Sequence, residues 1–242
     1  MKLVTVAGPP SVGKTSVILK TVEHFEKECK KIGIIKFDSL YTKDDLAYKK
    51  IGLPFMVGLS GNLCPDHFFV SNIDECLTWG RENKLDLLIT KSAGLCSRCS
   101  PHIKEVLGVC VIDNLSGVYT PKKIGPMLKL ADVIVITKSD IVSQAEREVF
   151  AFNVRLANPK AEIIFVNGFT GQGAFDLSYY LSRAVEVGGL EGKKLRFSMP
   201  SAVCPYCVGE MVISKDYQRG NAKKMVFKEG HESGRSSVNF ID

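Results

Sequence analysis

The residues best suited to chemistry stand at the start of the chain. Gly8-Pro9-Pro10-Ser11-Val12-Gly13-Lys14-Thr15-Ser16 follows a short apolar run over residues 3–7. The spacing is G-x-x-x-x-G-K-[ST], the pattern of a phosphate-binding loop. Gly8 and Gly13 permit the tight turn that aims successive backbone N–H groups at one anion. Lys14 can neutralise the β and γ oxygens of a nucleotide, and the Thr15 hydroxyl can hold Mg²⁺. A helix starting there adds its positive N-terminus. Thiols form the second chemical set. Cys96 and Cys99 make one C-x-x-C pair, and Cys204 and Cys207 make another. Together they could build an all-thiolate zinc or iron–sulfur site. Their separation far exceeds a zinc-ribbon spacing, so the sequence does not show that the pairs meet. Sharing with a second subunit is the other option, and a thioredoxin-like redox role is a lesser one. Cys29, Cys76 and Cys110 stand at apolar positions of helical or strand runs and are expected to be core thiols.

The elements that must position these groups read as strands alternating with helices. Apolar runs near residues 3–7, 34–37, 55–59, 85–90, 108–113, 133–137 and 163–167 predict buried strands, and helical periodicity is visible over 14–31, 70–82, 143–157 and 174–187. Gly33 is expected to cap the first helix, and Pro121 to start another. This alternation predicts a mostly parallel α/β sheet with helices on both faces, of the P-loop NTPase kind. Ligands in such sheets sit beyond the strand carboxyl ends. The loop at 8–16, Asp38, Ser92, Asp113 and residues 137–140 all fall there. After Gly188-Gly189 the composition changes. Residues 1–188 are expected to form the nucleotide domain, and 189–242 a small cysteine-containing β appendage with a flexible tail. The 242 residues are 45% apolar, enough for a sizeable core, with net charge +6. No basic run argues for nucleic acid and no stretch for a membrane span, so neither partner is expected and the chain is read as cytoplasmic.

Thr137-Lys138-Ser139-Asp140 resembles the [NT]-K-x-D element of GTPases. The resemblance implies that Asp140 accepts from the ring N–H and exocyclic amine of guanine while the Lys138 stem packs on the base. Adenine offers no such donor pair. The segment 168–173, with Gly168 and Thr170, occupies the place of a further base-contacting loop; a plain glycine turn is the alternative. In order, GPPSVGKTS, KFDSLYTKDD, GNLCPDH, a strand ending in SAG, TKSD and a TGxG loop resemble the HypB and UreG type of metal-insertion GTPases, relatives of the CobW proteins. That resemblance covers roughly residues 1–187. It implies that Asp38 lies in the magnesium and switch region, with Asp45 in the same acidic stretch. It also implies that Cys64 belongs to a metal-binding element shared between two subunits. His67 sits one position later than the Cys-Pro-His pattern of UreG places its histidine. One further departure is chemical. The family strand end carries an acid where this chain has Lys91, followed by Ser92. A charged lysine cannot accept a proton, so intrinsic hydrolysis is expected to be slow or partner-dependent.

The expected function is therefore a GTP-binding and GTP-hydrolysing metallochaperone. GTP and Mg²⁺ would be its ligands, with Lys14, Asp38, Lys91 and Ser92 around the reacting phosphate. Ni²⁺ or Zn²⁺ would be bound by Cys64, Cys96, Cys99, Cys204 and Cys207, in a homodimer serving a client metalloenzyme or its maturation factors. Two alternatives stay open: an iron–sulfur NTPase in redox or cofactor maturation, and a GTP switch whose C-x-x-C pairs are structural.

Overall fold

The computed structural model describes residues 1–26, 30–42, 44–95, 97–198, 211–214 and 224–225. Seven strands form one sheet: β1 (Lys2–Ala7), β2 (Ile32–Asp38), β3 (Phe55–Leu59), β4 (Leu87–Ser92), β5 (Leu107–Asp113), β6 (Val133–Thr137) and β7 (Glu162–Phe165). Their order is β3-β2-β4-β1-β5-β6-β7. All six pairings are parallel. Parallel neighbours need crossovers, and most are helical: α1 (Lys14–Glu26), α2 (Asp44–Lys50), α3 (Pro65–Ser71), α4 (Ile73–Glu82), α5 (Thr120–Lys123), α6 (Pro126–Lys129) and α7 (Gln144–Ala157); the described residues between β4 and β5 form no helix, and α8 (Ala174–Ser182) follows β7. The α/β architecture expected from the sequence is the one found. Among the described residues no helix is long and apolar enough to cross a membrane.

Strand side chains alternate between two covered faces, which is why the strands read as unbroken apolar runs. Val4, Val6, Ile89, Val109 and Val135 pack under Val17, Val22, Leu177 and Leu181 of α1 and α8. On the opposite face, Leu3, Ile35, Phe37 and Leu88 meet Phe68, Phe69 and Leu77 of α3 and α4. Further along that face, Cys110, Ile112, Ile134 and Ile136 meet Met127, Phe150 and Val154 of α6 and α7. Cys76 and Cys110 are core thiols, as expected, and burial pushes the Cys110 thiol up to about 12. Ser143 opens α7 through a capping box with Glu146.

Several boundaries differ from the sequence reading, each for a local reason. Gly33 does not cap α1; it lies inside β2. A Cβ there would come 2.3 Å from Leu85 Cδ1 and 3.2 Å from the Trp79 ring, so its role is the close seat of α4 on the sheet. The helical stretch expected over 70–82 is two helices, because Pro65 starts one earlier and Asn72 ends it. β4 continues through Lys91 and Ser92 instead of stopping at Thr90. α8 ends at Ser182, and the chain beyond it returns to β1, where Val187 N–H donates to Met1 O at 2.9 Å.

The described part of the late chain packs on this body. Leu190, Leu195, Ile213 and Met225 join the core beside Leu3 and Ile103. Leu195 N–H donates to Met211 O, and Ile213 N–H to Lys193 O, each at 2.7 Å. The Arg196 guanidinium grips Asp132 with two hydrogen bonds of 2.8 and 2.7 Å and also donates to the carbonyls of Ile103, Val106 and Leu130. Met225 N–H donates to Asn72 Oδ1 at 2.7 Å, and Lys224 pairs with Glu75 at 2.8 Å. The late chain thus braces the junction of α3 and α4.

Candidate functional site

The strand carboxyl ends deliver the expected residues to one edge of the sheet. Gly8 has φ +144°, and a Cβ there would lie 2.1 Å from Val111 O. Gly94, with φ +69°, is as confined: its Cβ would meet Gly8 O at 1.8 Å. The two glycines let the loop at 8–13 lie directly on β5 and on the end of β4. Ser11 and Gly13 also take positive φ, +62° and +91°. Such alternation turns consecutive N–H groups inward to make an anion nest. The Lys14 ammonium is folded under the loop, donating to Gly8 O and Pro9 O, each at 2.6 Å, and to Ala93 O at 3.3 Å. Burial first, and then the nearby Lys91, lowers Lys14 to about 7. The Thr137 hydroxyl donates to Val12 O at 2.7 Å, so β6 pins the loop from its far side.

Beside this loop stands a charged cluster. Lys36 and Lys91 are register partners on β2 and β4, so their stems run side by side over one face. Asp44, from the first turn of α2, receives both ammoniums on Oδ2. The Lys36 contact is 2.7 Å, and Lys91 makes a closer one. Lys36 also pairs with Asp38 at 2.8 Å. The Thr15 hydroxyl donates to Asp44 Oδ2 at 3.0 Å and contacts Lys91 Nζ. Burial works to raise Asp44, but Lys91 and Lys36 overrule it and hold the carboxyl at about 2. Lys91 is lowered to about 8 by its own burial, against the pull of Asp44. The acidic stretch therefore supplies Asp44. Sequence reading had singled out Asp38 and Asp45 there, and it had overlooked Lys36.

The oxygen set around Thr15 is of the right chemistry for Mg²⁺, a hydroxyl with carboxylates near it. The charge is not. Asp38 is neutralised by Lys36, and Asp44 by both lysines. The Thr15 hydroxyl is engaged on both its donor and its acceptor side. In this arrangement the residues do not fit the ion.

The residues expected to read the base lie further along the same edge. Lys138, at φ +57°, reaches back to Asp113 Oδ2 at 3.0 Å and Ser11 O at 3.1 Å, so its stem crosses toward the loop. Asp140 is exposed. Asn167 accepts from the N–H groups of Phe169 and Thr170 at 2.8 and 3.0 Å and fixes the turn holding Gly168 and Thr170. A Cβ on Gly168 would meet Ser16 Cβ at 2.9 Å, so this turn rests on the start of α1. Phe169 is 91% exposed. A cavity of about 650 Å³ opens beside Asp140 and runs along the outer edge of β7, past Phe165, Phe175 and Tyr179.

On the opposite face of the sheet, α3 carries a sulfur–nitrogen cluster. Pro65 sets the start of the helix, which places Cys64 at its N-cap and His67 three residues on, facing the same way. Cys99, fully buried in the segment after β4, closes the group. The ligating atoms of Cys64, His67 and Cys99 all lie within 4.8 Å of one another. The Cys64 thiol is held well below its ordinary value, first by the Cys99 thiol donating to it and then by His67. Asp66, buried in the same first turn of α3, is influenced by Cys64, His67 and Lys14. Burial and the Cys64 sulfur beside it raise its carboxyl to about 7, while Ser92 and Lys14 pull it back. Its Oδ1 makes no hydrogen bond among the described residues. Cys96, Cys204, Cys207 and Cys29 lie outside the described residues. His102, two positions after Ser100, does not join the cluster. It is buried with Nδ1 against the Thr5 hydroxyl at 2.9 Å and Nε2 against Met127 O at 3.1 Å.

A parallel sheet in this strand order, with a glycine loop folded around a buried lysine at the end of β1, defines a P-loop nucleotide-binding protein. The family is shown directly: the family model for the CobW/HypB/UreG nucleotide-binding domain matches residues 2–165, and the chain belongs to that family. An uncharacterised protein of Methanocaldococcus jannaschii is 47% identical over 225 residues, covering 93% of this chain and 96% of the relative. The urease accessory protein UreG of Haloquadratum walsbyi is 26% identical over 75% of this chain and 95% of its own length. Among solved structures, the hydrogenase maturation factor HypB of Archaeoglobus fulgidus superposes with TM-score 0.59 at 22% identity, over 75% of this chain and 89% of that one. HypB of Helicobacter pylori in complex with nickel gives TM-score 0.61 at 19% identity, over 75% and 86%. These two likenesses are of fold.

Proposed function

We propose that this protein binds and hydrolyses GTP and uses the nucleotide to govern a transition-metal ion held by Cys64, His67 and Cys99. The observation that carries the reading is geometric: the ligating atoms of Cys64, His67 and Cys99 lie within 4.8 Å of one another. Asp66 lies in the first turn of the helix that bears His67, and its carboxyl is influenced by both Cys64 and Lys14. Residues 8–16 would hold the phosphates, Lys138 and Asp140 would select guanine, and the turn with Gly168 and Thr170 would edge the base. A triphosphate drawing on Lys14 changes the charge felt by Asp66, and through it the thiol–imidazole group. Two thiols and an imidazole are soft to borderline donors that suit nickel or zinc. A dication there would also settle the charge that the Cys64 sulfur and the Asp66 carboxyl now contest. The H. pylori HypB structure in complex with nickel supports a metal cargo in this family. The ion would pass to a client metalloenzyme or its maturation factors, from a homodimer whose assembly follows nucleotide state, in the cytoplasm. An all-thiolate cluster would need Cys96, Cys204 and Cys207. The mixed N,S character of the described group favours a single-ion site over that alternative.

Metal titration tests the reading. Ni²⁺ added to wild type should bind one per chain and give a thiolate-to-metal absorption band. Cys64→Ala combined with Cys99→Ala should lose the band and weaken binding by about tenfold to a hundredfold. Unchanged binding in the double variant would remove the metal site from the proposal. Adding GTP should shift wild-type metal affinity, and no shift would remove the coupling.

A further inference from the structure

The charged cluster at Thr15 has a consequence for the cation that accompanies the nucleotide. In a phosphate loop of this pattern the Thr hydroxyl is the protein's own handle on magnesium. Here that hydroxyl donates to Asp44 Oδ2 at 3.0 Å and is contacted by the Lys91 ammonium. The same ammonium contacts Asp44 Oδ2. One oxygen of Thr15 and one of Asp44 thus coordinate a tethered monocation. The side chain of Lys91 is only 4% exposed, and its strand is fixed between β1 and β2. Lys36, its neighbour across the register, neutralises Asp38 and shares Asp44. A divalent ion entering this space would meet ammoniums on both strands, and the carboxylates there, of Asp38 and Asp44, are already paired with them. A lysine ammonium has three N–H donors. Two are accounted for by Thr15 and Asp44, which leaves one for a phosphate oxygen.

We propose that Lys91 is the built-in counter-cation of this site: it takes the seat at Thr15 that magnesium would take, and the nucleoside triphosphate is held without magnesium. The inference rests on the reading that the loop at 8–16 binds GTP. It makes Lys91 a residue that determines which cation the site uses.

The test is the affinity for the fluorescent analogue methylanthraniloyl-GTP, measured on the full chain in excess magnesium and in excess EDTA. Wild-type affinity should change by less than about fivefold on chelation, since the tethered charge is present in both conditions. Lys91→Met opens Thr15 and Asp44 to an ion. Its affinity in EDTA should fall about tenfold or more below wild type and recover at least partly when magnesium is supplied. A wild type that loses more than about fivefold on chelation overturns the proposal, and so does a folded Lys91→Met whose magnesium dependence is no greater than wild type's. The wild-type arm needs no variant, so a poorly folding Lys91→Met leaves the proposal decidable. Failure of wild type to bind the analogue in either condition would instead defeat the reading of the loop as a GTP site.

Discussion

Asp66 sits where two demands conflict. Its carboxyl is buried beside the Cys64 sulfur, and both raise it to about 7, far above an ordinary aspartate. The folded protein therefore keeps a proton on Asp66 at pH 5 that the unfolded chain has released. Stability from this group is complete below the unfolded value, near 4, and is lost as pH rises through the folded value of about 7. Asp66→Asn removes that dependence. Relative to wild type, the variant should gain about 1–3 kcal/mol more at pH 8 than at pH 5, read from urea unfolding at the two pH values. Equal differences at both pH values would show that the carboxyl is not buried in this way. Asp66 also marks the limit of what spacing reveals. The thiols were visible as cysteines, and Cys64 was singled out by its motif. His67 became interpretable only once Pro65 was seen to start α3, because three positions along a helix is one face and three positions along a loop is not. Asp44 and Lys36 gave no such signal. Lys36 was read only as part of a buried strand, and nothing in that run shows that its ammonium pairs with Asp44 of α2.

His102 ties three elements together. From the turn before β5 it takes the Thr5 hydroxyl of β1 on Nδ1 and meets the Met127 carbonyl of α6 through Nε2. Nε2 must carry the hydrogen, since a carbonyl only accepts, and so the Thr5 hydroxyl donates to Nδ1. Burial, with Arg196 near it, lowers the imidazole to about 4. The unfolded chain binds this proton near pH 6.5, so the contribution to stability is complete above 6.5 and is lost as pH falls toward 4. His102→Gln should cost about 1–3 kcal/mol at pH 7 through imperfectly replaced buried hydrogen bonds, and about 1–2 kcal/mol less at pH 4.5. A second prediction concerns the contact of β4 with the phosphate loop. Gly94→Ala drives a Cβ into Gly8 O from a backbone with positive φ, so it should abolish analogue binding by displacing the loop. Retained binding would mean that the loop tolerates movement. The alternation of strands and helices, and with it a parallel sheet, was legible because apolar runs alternate with helical periodicity; the order of the strands was not. The ends of elements were not. Gly33 is a packing glycine under Trp79, and nothing in its own stretch distinguishes that from a cap.

The described late chain is joined to the body through Arg196. Its guanidinium holds Asp132, between α6 and β6, in two hydrogen bonds and reaches three carbonyls around it. Bidentate pairs of this kind lose both partners' satisfaction when one side is removed. Arg196→Met should lower stability by about 2–4 kcal/mol, seen as a Tm drop of roughly 5–15 °C, while analogue binding at the opposite end of the strands stays near wild type. An unchanged Tm would show the grip to be incidental. The sequence reading placed the composition change at Gly188-Gly189. Composition does not show that Leu190, Leu195 and Ile213 bury themselves beside Leu3 of the first strand. Contacts of such sequence separation leave no local pattern.

Met225 fills the space above Gly58 and Phe68, and its N–H steadies Asn72 at the hinge between α3 and α4. A polypeptide cut short before residue 224 would keep its sheet and its phosphate loop and lose the buttress behind the helix that presents His67. The contacts of Lys224 and Met225 with Glu75 and Asn72 thereby bear on how rigidly Cys64 and His67 are held at the beginning of that helix.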